Sequence, residues 1–207
     1  MPPLFDVHVA RGHSSLPVNE SRMSSDQNVN NFWAKLCGLG MRMTISSISR
    51  KFNRVPNIET ETLDKWMRTK EEGKDVVIWD CRPEEEYVVS HIPGAVRVDY
   101  KNDAEKILEK LPSKDLDNRT VVCYCSVGYR SSMVVEKVQE YYKKTGDESG
   151  TTPFEMYNLE GSLFKWANEG RPMINVNNVK TPYAHPYHPV FGKLLDSSLR
   201  RDKVQDT

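Results

Sequence analysis

From Ile58 onward, apolar positions fall in short blocks whose period switches between that of a helix and that of a strand. Leu63, Trp66 and Met67 recur at helical spacing after Thr60, which predicts a short helix. "DVVIWD", residues 75–80, is a compact β-branched run between polar flanks, the pattern of a strand buried on both faces. "PEEEYVVSH" opens with Pro83 and three glutamates, and negative charge there suits the partial positive charge of a helix N-terminus. "IPGAVRVDY" combines a Pro-Gly turn with another short strand. Residues 103–110 read as a helix stopped by Pro112, and "TVVCY", 120–124, is the clearest strand of the chain. Val134, Val138, Tyr141 and Tyr142 then mark one face of a helix. "FEMYNL" is a last strand and "SLFKWANEG" a last helix, closed by Gly170 and Pro172. Strands alternating with helices imply an α/β fold, a parallel sheet covered on both faces.

Upstream, the pattern fades. Residues 1–30 are rich in Ser, Asn, Pro and Gly, show no sustained period and are expected to be largely disordered. Between Asn28 and Asn57 stand five basic residues (Lys35, Arg42, Arg50, Lys51 and Arg54) and no acidic one. Such a stretch suits a membrane-surface helix or an organelle presequence. Its internal position favours instead a partly helical arm docked through Phe32, Trp33 and Leu36, with Gly38 and Gly40 weakening any long helix.

Composition narrows the function classes. The 207 residues suffice for one buried core, and 29 basic against 29 acidic side chains offer no overall attraction for nucleic acid or anionic membrane. No apolar run approaches the roughly 20 residues needed to span a bilayer. Four cysteines, unevenly placed, do not make a disulfide framework, so a reducing compartment is expected: the cytoplasm, with the mitochondrion as the alternative.

The candidate chemistry sits in "VVCYCSVGYRSS", 121–132. Cys125 ends the strand, where open parallel sheets bind ligands. Ser126, Val127, Gly128 and Tyr129 lead into a helix beginning near Arg130. Loop N–H groups can curl around an anion, and Gly128 lets the chain turn. Those donors, the helix N-terminus and Arg130 should all depress the thiol pKa. Ser131 and Ser132 are placed to satisfy first-turn N–H groups. A buried thiol at the end of a plain turn is the competing reading. His91 is the only mid-chain histidine and lies in the "SHIPGA" turn, so there is no Cys/His pair of the protease kind.

"VVIWDCRPEEEYVVSHIPGAVRV", "VVCYCSVGYRSS" and "MYNLEGSLFKWANEGRPM" together resemble, in order and spacing, the signatures of the rhodanese (thiosulfate sulfurtransferase) family over about residues 55–175. The resemblance implies a five-stranded parallel sheet, Cys125 as the sulfur-carrying nucleophile and Ser126 to Ser131 as its binding loop. It also implies Asp80 and Arg82 as a buried structural pair, with Glu86 in support; the alternative is an i, i+4 pair between Arg82 and Glu86. Ser90 and Ser162 stand where the family usually has glycine, which puts local turn geometry in question. Residues 1–54 then form an N-terminal extension with a basic segment at 33–54, and 176–207 a C-terminal strap and tail. The strap is expected to pack Tyr187, Phe191 and Leu194 on the domain, and His185 and His188 read as packing residues rather than metal ligands.

Cys125 to Arg130 spans six residues. Phosphatases and arsenate reductases related to this fold use a loop one residue longer, so the resemblance implies sulfur chemistry. The expected reaction takes a sulfane sulfur from thiosulfate or a related donor, through a Cys125 persulfide, to cyanide, a thiol or a protein acceptor. It needs no cofactor, metal or nucleic acid. Tyr129 would rim the entrance, and Cys123, two residues upstream on the same strand face, is either a resolving or an inert thiol. A catalytically silent binding module and a phosphatase or arsenate reductase remain the rival readings.

Overall fold

In the computed structural model, residues 38–69, 75–111, 119–145 and 153–204 are described. Phe32, Trp33, Leu36 and Pro112 lie outside them. Five parallel strands form one sheet: β1 (Asn57–Ile58), β2 (Asp75–Asp80), β3 (Val96–Arg97), β4 (Arg119–Tyr124) and β5 (Glu155–Leu159). The spatial order is β1-β5-β4-β2-β3, which puts β4 at the centre. Its register on β2 runs from Asp75 opposite Arg119 to Asp80 opposite Tyr124. Val121, Val122, Cys123 and Tyr124 are all fully buried, so both faces of β4 are covered, as a continuous β-branched run requires.

Helix α1 covers 38–51 among the described residues. It is followed by α2 (Thr60–Thr69), α3 (Glu84–Val89), α4 (Ala104–Leu108), α5 (Tyr129–Thr145) and α6 (Ser162–Asn168). Helix α4 packs with α5, and α2 with α6. None is long and apolar enough to cross a membrane among the described residues. The α/β architecture expected from the alternating pattern is the one observed. β1 escaped that pattern because two residues cannot display a period.

Two findings alter the reading of the flanks. Gly38 and Gly40 do not stop a helix from forming; Gly40 is where α1 meets the C-terminal segment, and a Cβ there would lie 3.0 Å from Leu194 Cδ2. Met41, Ile48, Phe52 and Val55 bury their side chains in the same core as the sheet. At the other end, Ala184 and Leu195 are the fully buried anchors of the strap and Leu194 is partly buried. Tyr187 and Phe191 are instead partly exposed and line a cleft, with the Tyr187 ring 4.2 Å from the Arg130 guanidinium carbon. His185 and His188 each accept a backbone N–H at Nδ1, from Tyr187 and Val190.

Candidate active site

The chain leaves β4 at Cys125, bends through 126–128 and enters α5 at Tyr129. What holds this bend is the start of α6. Gly161, in the left-handed region with φ 70°, offers α6 no capping side chain. The first-turn N–H groups of Leu163 and Phe164 are satisfied instead by the carbonyls of Cys125 (3.1 Å) and Ser126 (3.0 Å). Gly128 N–H donates to Cys125 Sγ at 3.1 Å. Gly128 has φ 110°, a conformation side-chain-bearing residues rarely adopt, and a Cβ there would lie 3.3 Å from Asn158 Nδ2.

Burial acts first on the Cys125 thiol and pushes its pKa up. Arg130, the N–H and hydroxyl of Ser131 and the Gly128 N–H act the other way and prevail, so it is held below the ordinary thiol range. Cys81 shows the contrast: burial, then neighbouring Cys123, raise its pKa well above that range. It stays a neutral thiol.

Arg130 is engaged in holding the loop rather than free to attract a donor. Its guanidinium forms a bidentate pair with Glu86 (2.7 and 3.1 Å) and donates to Ser126 Oγ at 2.8 Å, while Ser126 donates to Glu86 at 2.6 Å. Burial disfavours the charge on Arg130, and Glu86 and the Cys125 sulfur more than offset this. Glu86 therefore serves Arg130, and no Arg82–Glu86 pair forms. Arg82 is fully buried against Asp80, Nη2 to Oδ2 at 2.6 Å, and also donates to the Ser90 carbonyl. Tyr124 ties this pair to the strand below Cys125: its hydroxyl donates to Asp80 at 2.6 Å and accepts the Ile92 N–H. Asp80 and Arg82 thus sit one layer away from the sulfur.

The two serines on α5 do not cap it. The helix begins one residue earlier than the motif suggests, so Ser132 Oγ donates back to the Gly128 carbonyl and Ser131 Oγ to Asn158 Oδ1. Two further residues hold the loop: Ser162, expected to affect only local turn geometry, in fact touches it, and Asn158 carried no expectation. Ser162, at φ 51°, accepts the Cys125 N–H at 3.1 Å and donates to the Leu159 carbonyl. Asn158, the buried polar residue of β5, joins Ser131 to Asn57. Its polarity within "FEMYNL" was the available signal. Ser90 causes no strain: it is extended at φ −167° and supplies its carbonyl to Arg82.

Cys125 is 1% exposed and lies on the floor of a cleft of about 550 Å³. Val127, Tyr129 and Arg130 border it, α1 forms one wall and Tyr187 and Phe191 another. Tyr129 does stand at the rim.

The rhodanese-like domain model matches residues 63–169, just over half of the chain. The chain is 28% identical over 171 residues to a tRNA uridine(34) hydroxylase of Burkholderia ambifaria, covering 81% of this chain and 55% of that protein. It is also 28% identical over 130 residues to one from Cupriavidus taiwanensis, covering 61% and 43%. The chain thus spans about half the length of the curated relatives it matches. Among solved structures, a thiosulfate sulfurtransferase from Pseudomonas aeruginosa superposes with TM-score 0.49 at 18% identity, over 63% of this chain and 22% of that one. A Bacillus halodurans protein does so with TM-score 0.46 at 17%, over 59% and 79%. On the match across residues 63–169, the chain belongs to the rhodanese-like domain family.

Proposed function

We propose that the protein is a sulfurtransferase in which Cys125 carries the sulfur. The observation that carries this reading is the six-residue loop closed on a single sulfur atom, with the Gly128 N–H 3.1 Å from Sγ and the thiol pKa lowered. The Cys125 thiolate attacks the outer sulfur of thiosulfate or a related donor. The donor S–S bond breaks, its electron pair leaves with sulfite, and Cys125 is left as a persulfide. Loop N–H groups stabilise the anionic terminal sulfur. Cyanide or a thiol then attacks that sulfur, and the pair of the Cys125 S–S bond returns to Sγ, a two-step transfer through a covalent intermediate. Ser126 and Arg130, locked to Glu86, hold the loop in shape; Asp80, Arg82 and Tyr124 brace the strand behind it.

The site supports no phosphatase assignment as readily, because the loop carries no carboxylic acid to protonate a leaving oxygen, and Glu86 is already engaged. A second reading follows from the names of the relatives, a hydroxylase acting on a tRNA uridine. The even charge balance of this chain favours a small-molecule substrate over it.

The test is intact-mass spectrometry after thiosulfate treatment, before and after cyanide, with Cys125→Ser in parallel. The wild type should gain one sulfur and lose it to cyanide as thiocyanate, while Cys125→Ser gains none. Folded protein with a free Cys125 thiol and no gained sulfur would sink the reading. Hydroxylated uridine in tRNA incubated with the protein would favour the second.

A further inference from the structure

The cleft above Cys125 is far larger than a small inorganic anion requires. Its volume of about 550 Å³ lies in the range typical of sites for organic ligands. Its walls come from outside the family match at 63–169, which excludes both α1 and the strap. On α1, Met43, Thr44, Ser47 and Ile48 face it, and Lys51 lies one turn beyond Ser47 on the same helix face. Opposite, Tyr187 and Phe191 stack with ring centres 6.4 Å apart.

These walls are apolar yet uncovered. Met43, Tyr129, Tyr187 and Phe191 all line the cleft, and all are among the chain's exposed large hydrophobic residues. Such a concentration marks a binding site rather than a scatter of surface residues. Tyr187 adopts φ 63°, in the left-handed region a tyrosine rarely occupies, and its ring lies 4.2 Å from the Arg130 guanidinium carbon. A strained residue aimed at the reactive loop is the pattern of a ligand clamp.

The charges add direction. Arg130 is already paired with Glu86, and Lys51 brings a second cation to the rim through Tyr129. Its Nζ donates to Tyr129 Oη at 2.6 Å and sits 4.9 Å from that ring's centre; among the described residues Tyr129 is its hydrogen-bond partner. An ammonium has three donors, so two remain for an anion.

Resting on the sulfur-transfer reading, we propose that the acceptor is an organic thiol with an aromatic or apolar body and a carboxylate. Its thiol meets the Cys125 persulfide, its body fills the space between Ile48, Met43, Tyr187 and Phe191, and its carboxylate reaches Lys51. In the transfer, the acceptor sulfur forms a bond to the terminal sulfur as the Cys125 S–S bond breaks. Its electron pair returns to Sγ, and the acceptor leaves as an organic persulfide that retains the proton.

Binding is separable from chemistry by using thioethers, which accept no sulfur. The full chain is titrated calorimetrically with para-(methylthiomethyl)benzoate, with benzyl methyl sulfide and with (methylthio)acetate. The first should bind at least about tenfold more tightly than either of the others, which lack one of its two features. Phe191→Ala should weaken both aromatic probes by about tenfold. Lys51→Gln should abolish the preference for the carboxylate and leave the neutral aromatic probe unaffected. Equal affinity for all three probes, no measurable binding, or indifference to both substitutions would overturn the proposal. Sulfur loading of Cys125 without probe binding would end this inference and spare the sulfurtransferase reading. Probe binding without sulfur loading would overturn the sulfurtransferase reading and the acceptor role with it, leaving the cleft only as a site for aromatic carboxylates.

Discussion

Cys125 is subject to opposing influences that can be measured separately. Burial disfavours the thiolate; Arg130, Ser131 and Gly128 favour it and win. Alkylation by iodoacetamide should therefore rise with pH with a midpoint below that of a free cysteine, about 8.5. A midpoint at or above that value would mean that the loop does not activate the sulfur. Arg130 presents the complementary case, since its buried charge is compensated by one carboxylate. Glu86→Ala leaves a guanidinium and Ser126 Oγ without their acceptor. It should destabilise the fold by about 3–5 kcal/mol in urea unfolding and slow sulfur loading. The roles of Cys125 and its loop were legible as a motif because a strand end, a glycine and an arginine are local facts. That Glu86 answers Arg130 rather than Arg82 was not, because 44 residues separate the partners.

At the scale of elements, α1 shows how a readable pattern was masked. Met41, Ile45, Ile48 and Phe52 recur at helical spacing and turn inward, yet Gly38 and Gly40 argued against a long helix. Gly40 is there for close packing on Leu194, a need that only the partner segment reveals. Phe52 is buried and meets Tyr129 edge-on at 5.2 Å, so it supports both the core and the cleft wall. Phe52→Ala should lower stability by about 3–5 kcal/mol in chemical denaturation. A loss below about 1 kcal/mol, the range of surface substitutions, would mean that α1 is only loosely attached. Helix α6 has a second role of the same kind, since its uncapped N-terminus holds the loop carbonyls, which no reading of "EGSLFKWANEG" by itself discloses.

Across the whole molecule, His91 links the turn after α3 to the chain leaving α6, through paired backbone hydrogen bonds with Ile174. Its ring stacks on Tyr87 at 4.0 Å, and Nδ1 lies 3.1 Å from the Tyr87 carbonyl. Burial lowers its pKa, outweighing that carbonyl and Asp80, so the unfolded chain binds this proton more readily than the folded one. Its contribution to stability is then complete above about pH 6.5 and is lost as pH falls toward the folded value. Calorimetric melting temperatures should drop over that window more steeply for the wild type than for His91→Gln; parallel curves would assign the acid sensitivity elsewhere. The sequence by itself determined the alternation of strands and helices and the placing of Cys125 at a strand end, because periodicity and turn chemistry act over a few residues. The tertiary structure decided which charges pair, which serine holds the Cys125 amide, and that α1 and the strap wall the cleft. Those are contacts between segments far apart in the chain, and each depends on packing that no local pattern encodes.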